Sequence, residues 1–327
     1  MKPVRAVACS NIALAKYWGK ADVARNLPAT PSLSLTLAGL RTLTEVELDP
    51  SLGADEGTLG DAPLAGRPLA RVVELLERLR QRAGVSTRAR VVSKNDFPTA
   101  AGLASSASGF AALALAASRA YGLELSLEEL SAVARASSAS AARSLFGGFA
   151  ALPAGAERAE RVAAVAHFPL SMVVTLTAKG PKSVGSTEGM QHTAATSPYY
   201  PPWVAHAPAL FEEVRQGVLG RDIERLGAAM EQSALMMHAS MLAASPAVIY
   251  FQPTTLAVMT AVRELRQAGT PAYYTMDAGP HVKVLTLPEH AARVVQAVEA
   301  VPGVERSIVT GAGPDAALTD EDPRSLA

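Results

Sequence analysis

Residues 93–120, SKNDFPTAAGLASSASGFAALALAASRA, constrain this chain more than any other stretch. Ala89-Arg90-Val91-Val92 reads as a strand, a turn with Pro98 and Gly102 follows, and an alanine-rich helix starts near Ser105. Backbone N–H groups at a helix start lack intrahelical partners and face outward, so they bind anions. Ala101, Gly102 and Ala104 keep side chains out of the way, so a polyphosphate can approach the main chain. Ser105 and Ser106 can cap the helix and offer hydroxyls to phosphate oxygens or to Mg2+. A bare serine-capped core helix would need less than the full pattern Pro98-x-x-x-Gly102-Leu103-x-Ser105-Ser106-Ala107. The G-K-[ST] ending of a Walker loop and the G-x-G-x-x-G of a dinucleotide fold are both absent. The stretch predicts a nucleotide site of another kind.

The rest of the composition narrows the class. A length of 327 residues allows two domains, each with its own core. Thirty basic and thirty acidic residues cancel, so no global field favours nucleic acid or an anionic membrane. Cys9 is the one cysteine, which excludes a disulfide framework and a cysteine-based metal site. No apolar run approaches the roughly 18 residues of a membrane span, and the N-terminus has no signal-peptide core. A cytoplasmic, soluble setting is expected.

Along the chain, residues 3–9 read as a strand, whereas 10–20 follow no clean period and read as a loop beside a core aromatic. Residues 32–37 alternate Ser-Leu-Ser-Leu-Thr-Leu, a strand with one buried face, and 42–48 alternate again. Turns or a short hairpin are expected over 49–67, then a helix from Pro68 to Gly84. Ser126-Leu127-Glu128-Glu129 is a capping box whose helix runs into 137–144, and strands follow near 149–152 and 171–178. The last of these is expected to close a first domain, 1–180. In the second, 181–327, helices are expected at 208–219, 222–238, 253–268 and 288–299, with strands at 272–276, 282–286 and 304–309. Mixed elements without a βαβ repeat indicate an α+β fold. The 49–67 loop and the last dozen residues read as flexible.

Unusual polar residues concentrate in four stretches: 10–20, 93–109, 137–148 and 272–281. Ser140 lies three residues before Arg143, whose planar fork suits a carboxylate or phosphate. Asp277 sits on a Gly-Pro turn between two apolar strands. Such an aspartate is usually structural, yet opposite a phosphate loop it could orient or deprotonate a hydroxyl. The six histidines show no ligand spacing.

The glycine-serine loop resembles that of the GHMP kinase superfamily. Asn11-Ile12-Ala13-Leu14-Ala15-Lys16-Tyr17-Trp18-Gly19-Lys20, Asn95 to Ala107, Ser140 to Phe149 and Tyr274 to Pro280 are similar, in order, to the signatures of its mevalonate diphosphate decarboxylase family. Ser186-Thr187-Glu188-Gly189-Met190 resembles that family's second-domain substrate segment. The resemblance implies a two-domain GHMP-kinase-like fold, with an N-terminal ribosomal-S5-domain-2-like unit and a C-terminal ferredoxin-like sandwich. The active site would lie in the cleft between them, and the assembly would be a homodimer.

It also implies the chemistry. ATP-Mg2+ would sit on the 98–109 loop, held by Pro98, Ala101, Gly102, Leu103, Ala104, Ser105 and Ser106, with Ser93 and Asn95 near the adenine. ATP would phosphorylate the 3-hydroxyl of mevalonate 5-diphosphate; loss of that phosphate and of CO2 would give isopentenyl diphosphate. Asp277 would handle or orient the hydroxyl, Lys16 would lie between it and the reacting phosphate, and Arg143 would grip the carboxylate near Ser140. Tyr17 and Lys20 would hold the diphosphate tail, with Asn11, Ser186 and His192 completing the substrate site. Three departures stand out: Gln191-His192 where the family often has an arginine, His281 for its asparagine, and Ser137-Ser138-Ala139 for its glycines. The first leaves open a relative acting on mevalonate 5-phosphate. A 3-kinase without decarboxylation and a non-catalytic nucleotide-binding regulator are the further alternatives.

Overall fold

The computed structural model describes residues 2–97, 105–177 and 184–326. Strand β1 (Val4–Ala15) runs well beyond residue 9, through register shifts at Cys9/Asn11 and Ala13/Ala15. A bulge throws successive side chains out of alternation, which is why residues 10–15 show no period in the sequence. After the small ribbon β2 (Lys20–Asp22) and β3 (Leu27–Pro28) comes β4 (Ser32–Leu48), one long strand joining the two expected ones. β5 (Glu56–Leu59) and β6 (Ala62–Pro63) form the expected hairpin. Helix α1 (Gly66–Ala83) ends at Gly84, in the left-handed region at φ 68°. β7 (Ala89–Asn95) and α2 (Ser105–Ala120) flank the glycine-serine loop, of which residues 98–104 lie outside the described part.

α3 (Leu127–Ser137) starts at the predicted capping box and hands over to a 3-10 turn, Ala139–Leu145. β8 (Phe149–Leu152), β9 (Glu160–Ala163) and β10 (Ser171–Thr177) follow. α4 (Ser186–Thr196) is a helix the sequence reading did not anticipate, and α5 (Tyr200–Gly220) begins eight residues before 208. Pro201 and Pro202 occupy its first turn, where no N–H is required, so they start this helix rather than block it. The chain continues through α6 (Ile223–Leu242), α7 (Pro253–Gln267), β11 (Ala272–Met276), β12 (Val282–Thr286), α8 (Ala291–Glu299), β13 (Val304–Thr310) and β14 (Ala317–Leu318).

The strands form two main sheets. The first has the order β14-β1-β4-β7-β5-β6, with β8 and β9 continuing from the start of β4; the second has the order β11-β12-β10-β13. β10, expected to close the first unit, instead pairs with β12 and β13 in the second sheet. The C-terminal residues are not loose either. β14 returns to pair with β1, and Arg324 bonds Glu45 at 2.6 Å.

Ile12, Leu14, Leu33 and Leu35 from the first sheet share one apolar core with Met172, Val174 and Leu285 from the second. That shared core fixes how the sheets face each other, and the polar cleft opens beside it. Close to the cleft, Gly147 packs directly on the returning chain: a Cβ there would meet the backbone of Pro314 and Asp315 at 2.5 and 2.6 Å. Backbone cannot swing aside as a side chain can. Gly147→Ala is therefore expected to cost about 1–3 kcal/mol of stability, read as a lower urea midpoint at unchanged slope.

Candidate active site

A cavity of about 660 Å3 lies between the two sheets' units. From one side it is lined by Asn11 of β1, Lys16 and Tyr17 just after it and Lys20 of β2, by Arg67 and Arg71 of α1, and by Ser138, Ser140 and Arg143. Ser186 and Glu188 of α4 and Asp277 of the β11–β12 turn face them. The four stretches singled out in the sequence thus converge, with Ser106 representing the second of them at the start of α2.

At its centre Asp277 stands between two ammonium groups. Lys16 Nζ donates to its Oδ1 at 2.7 Å and to the Ala13 carbonyl at 2.8 Å. Lys283 Nζ meets Oδ2 at 3.2 Å. Both lysine side chains are 1% exposed, while Asp277 is 27% exposed, open to the cavity. The turn that carries Asp277 is held by Gly279 N–H donating to the Asp277 carbonyl and by Thr255 Oγ1 donating to the Pro280 carbonyl. Burial alone would raise the Asp277 carboxyl, but the charges of Lys16 and Lys283 overcome it and hold the group well below the usual carboxylate range. Burial pushes Lys16 down to about 8 against the attraction of Asp277.

Arg143 is 2% exposed and sits on the 3-10 turn. Its Nε donates to Ser34 Oγ at 3.0 Å and its Nη1 to Ser32 Oγ at 2.6 Å. Among the described residues no carboxylate lies within ion-pair distance of it. Burial pushes this guanidinium down to about 10, with Asp277 and Tyr17 pulling the other way. The alternation over 32–37 implies a strand with one buried face; both faces are buried, and Ser32, Ser34 and Thr36 serve the 3-10 turn. Asn11 braces the same turn, its Nδ2 donating to the Ser140 carbonyl at 3.0 Å and to Ser144 Oγ at 2.8 Å. Ser140 Oγ lies 3.2 Å from Ser138 Oγ. The Tyr17 hydroxyl is buried with no hydrogen-bond partner among the described residues, a group waiting for a ligand.

Towards α1 the wall is cationic. Lys20, Arg67 and Arg71 lie close enough that the two arginines, with burial as the larger cause, push the Lys20 ammonium down. Arg71 donates to the Ser137 carbonyl at 2.7 Å and covers the Phe110 ring at 4.4 Å, so its position is fixed. Neither arginine was foreseen. The available signal was their placement in the first turns of a helix with no acidic residue there, where the macrodipole disfavours cations.

Several expected residues stand elsewhere. His192 is not among the residues lining the cavity: its Nε2–H donates to the Pro246 carbonyl at 2.7 Å. Ser93 and Asn95, expected near the adenine, lie at the end of β7 beside the loop, and their side chains bond Thr44 Oγ1 at 2.7 Å and Thr42 Oγ1 at 2.6 Å. Pro98, Ala101, Gly102, Leu103 and Ala104 lie outside the described residues. Lys283 was missed altogether. A lysine inside the apolar strand Val282-Lys283-Val284-Leu285 was the signal that could have found it.

Comparison with known proteins adds to this geometry. The family model "Diphosphomevalonate decarboxylase-like N-terminal domain" matches residues 8–163, and "Mevalonate 5-diphosphate decarboxylase C-terminal domain" matches 172–316. The diphosphomevalonate decarboxylase of Candida albicans is 36% identical, with 95% of this chain and 96% of that protein aligned. The phosphomevalonate decarboxylase of Haloferax volcanii is 35% identical over 94% and 95% of the two chains. A solved structure, "MDDEF in complex with MVAPP, AMPPCP and Magnesium", superposes with a TM-score of 0.91 at 39% identity, covering 98% of this chain and 99% of the other. The two-domain α+β fold is thus the GHMP-kinase-like one that the sequence implied. With both halves matched in order and nearly the whole length aligned to named decarboxylases, the chain belongs to the diphosphomevalonate decarboxylase family.

Proposed function

We propose that this cleft binds ATP and mevalonate 5-diphosphate and converts them to isopentenyl diphosphate, ADP, phosphate and CO2. The observation that carries the reading is the pairing of Asp277, clamped by two lysines, with Arg143, a buried cation that lacks a carboxylate of its own. A tertiary hydroxide is a poor leaving group, and phosphorylation makes it a good one. Asp277 accepts the hydrogen bond of the 3-hydroxyl and aims its oxygen at the γ-phosphate. Held so far below its ordinary range, this carboxylate is a weak base, suited to orienting the hydroxyl while phosphoryl transfer runs through a loose transition state. Lys16, between Asp277 and the reacting phosphate, offsets the charge that develops there. When the new phosphate leaves, C3 turns positive; the electron pair of the breaking C–CO2 bond flows to C3 and closes the double bond. Arg143 holds the carboxylate in line for that step, and Asn11 and Ser140 hold Arg143's turn in place.

Among the described residues no three His, Cys, Asp or Glu side chains gather to bind a metal. Ser105 and Ser106, at the start of α2, would offer their hydroxyls to a Mg2+ ion brought with ATP, and the ion would neutralise phosphate charge. The diphosphate tail lies towards Tyr17, Lys20, Arg67 and Arg71, with Ser186 opposite. These cations answer the loss of charge at His192 and favour the diphosphate over the monophosphate substrate. Arg67→Ala is expected to raise KM for mevalonate 5-diphosphate about tenfold with kcat nearly unchanged, because the tail is bound equally in ground and transition states. Steady-state kinetics with both substrates checks this; an equal effect on the monophosphate would remove Arg67 from the terminal phosphate.

The reading itself is tested by incubating the protein with ATP, Mg2+ and each mevalonate phosphate, following ADP, CO2 and isopentenyl product. One CO2 per ADP with the diphosphate is expected. Faster turnover of the monophosphate would move the chain to the Haloferax-like activity, and ADP without CO2 would make it a 3-kinase. A homodimer in the cytoplasm is the setting we infer, and light scattering on the purified chain measures its assembly.

A further inference from the structure

Lys283 lies outside every motif that the sequence reading drew on, yet it is fully buried at the middle of the second sheet. β12 pairs with β10 on one side and β11 on the other, so Lys283 stands opposite both Val174 and Thr275. By the two-residue repeat of a strand it shares a face with Leu285, which belongs to the core between the two sheets. Desolvating an ammonium there is costly unless an anion compensates it. Asp277 Oδ2, at 3.2 Å, is the one carboxylate within ion-pair distance among the described residues. The two meet as an ion pair, and neither Lys283 Nζ nor Asp277 Oδ2 has any other hydrogen-bond partner among the described residues. Packing alone would be served better by leucine or methionine, so the charge needs another reason.

We propose that Lys283 is a positioning residue for the reaction: with Lys16 it clamps Asp277, one cation on each oxygen, keeping it an anion of fixed orientation. The inference rests on the reading of Asp277 as the group that aims the 3-hydroxyl. Asp277 has two oxygens, and Lys16 secures only Oδ1. Without a second cation the carboxylate can rotate about its Cβ–Cγ bond, and its aim is lost. Lys283 also acts on Lys16 through space: its charge, beside the same carboxylate, disfavours the protonated form of Lys16.

Among the described residues, four groups face Asp277 and Lys16 from the surrounding elements: Lys283 of β12, Arg143 of the 3-10 turn, His238 of α6 and Tyr17 after β1. Burial, reinforced by Lys16, pushes His238 down to about 3, so it stays neutral across the working range. Burial pushes the Tyr17 phenol up, away from that range. Lys16 is left as the group that titrates near pH 8, and activity falls as it loses its proton.

The sign of the effect follows. Removing the Lys283 charge makes the protonated form of Lys16 easier to hold, so its pKa rises. Lys283→Met is expected to move the alkaline limb of kcat upward from near pH 8 by about one unit, while lowering kcat at pH 7 about 10- to 100-fold through the loosened carboxylate. Lys283→Gln, equally neutral but polar, should move the limb to the same extent and keeps the test available if the methionine variant folds poorly. A uniformly lower kcat with the limb unmoved in both variants would overturn the proposal while leaving the decarboxylase reading intact. An inactive wild type would do the reverse. A second readout needs no turnover: 13C NMR of aspartate-labelled wild type, with Asp277 assigned from Asp277→Asn. Its carboxyl should remain ionised through the ordinary aspartate range near pH 4. Titration within that range would show that no clamp exists.

Discussion

Asp277→Asn is expected to lower kcat by about a thousandfold or more while ATP affinity stays largely unchanged. The amide matches the carboxylate in shape, so the loss isolates charge and hydrogen-bond polarity. An asparagine can face one ammonium with its oxygen but must turn an N–H2 group towards the other, at a site where Lys16 and Lys283 stand 2.7 and 3.2 Å from the present oxygens. It also stops attracting the Lys16 proton. Burial already pushes Lys16 down to about 8 against that attraction; without it the pKa falls further, and much of Lys16 turns neutral at pH 7.5. A single substitution therefore removes the anion that aims the hydroxyl and weakens the cation beside the transferred phosphate. The check is single-turnover ADP and CO2 release together with nucleotide binding by calorimetry. Turnover within about tenfold of wild type would remove Asp277 from the chemistry, and ADP release fully equal to wild type would favour a non-catalytic nucleotide-binding role.

The parts of this site that were legible in the sequence are those where chemistry forces an odd residue into an apolar context or onto a turn. Asp277 on its Gly-Pro turn, Arg143 after a serine run and Lys16-Tyr17 beside tryptophan could all be picked out, and the cleft brings them together. What escaped depends on packing. Alternation in residues 32–37 correctly gave a strand, but a two-residue period says only that the faces differ, not that the polar one meets water. In the folded chain that polar face is buried and its serines carry Arg143. The bulges of β1 erased the period over 10–15 and made a strand read as a loop. His192 shows the opposite failure: the motif position suggested a substrate contact, yet the helix α4 turns the ring to the Pro246 carbonyl. Lys283 is visible in the sequence only as a lysine in an apolar strand; its role needed the hairpin register, since the antiparallel pairing of β11 and β12 sets it opposite Thr275, two residues before Asp277.

Arg143→Met is expected to separate activity from stability. The buried guanidinium is held by two neutral serine hydroxyls, with Asp277 its nearest influence of opposite sign beyond ion-pair distance. Losing those two charge-assisted hydrogen bonds, which leaves two buried hydroxyls short of a donor, costs about 1.5–3 kcal/mol each. Removing a buried cation that lacks a close counter-charge returns several kcal/mol, because burying such a charge costs at least that much. The two effects are of similar size, so the variant should melt close to the wild-type temperature. Activity, by contrast, should fall. A substrate carboxylate brought into that pocket would lose a charged, forked partner worth about 2–5 kcal/mol, a fall of about 30- to 5,000-fold in kcat/KM. Arg143→Lys should not restore it, since a single ammonium cannot hold both Ser32 and Ser34 while gripping a carboxylate with two parallel bonds. Thermal melts and steady-state kinetics on the same preparations decide the matter. A methionine variant that loses several kcal/mol of stability, with lysine rescuing both stability and turnover, would make Arg143 a structural cation and leave the carboxylate without a holder in this cleft.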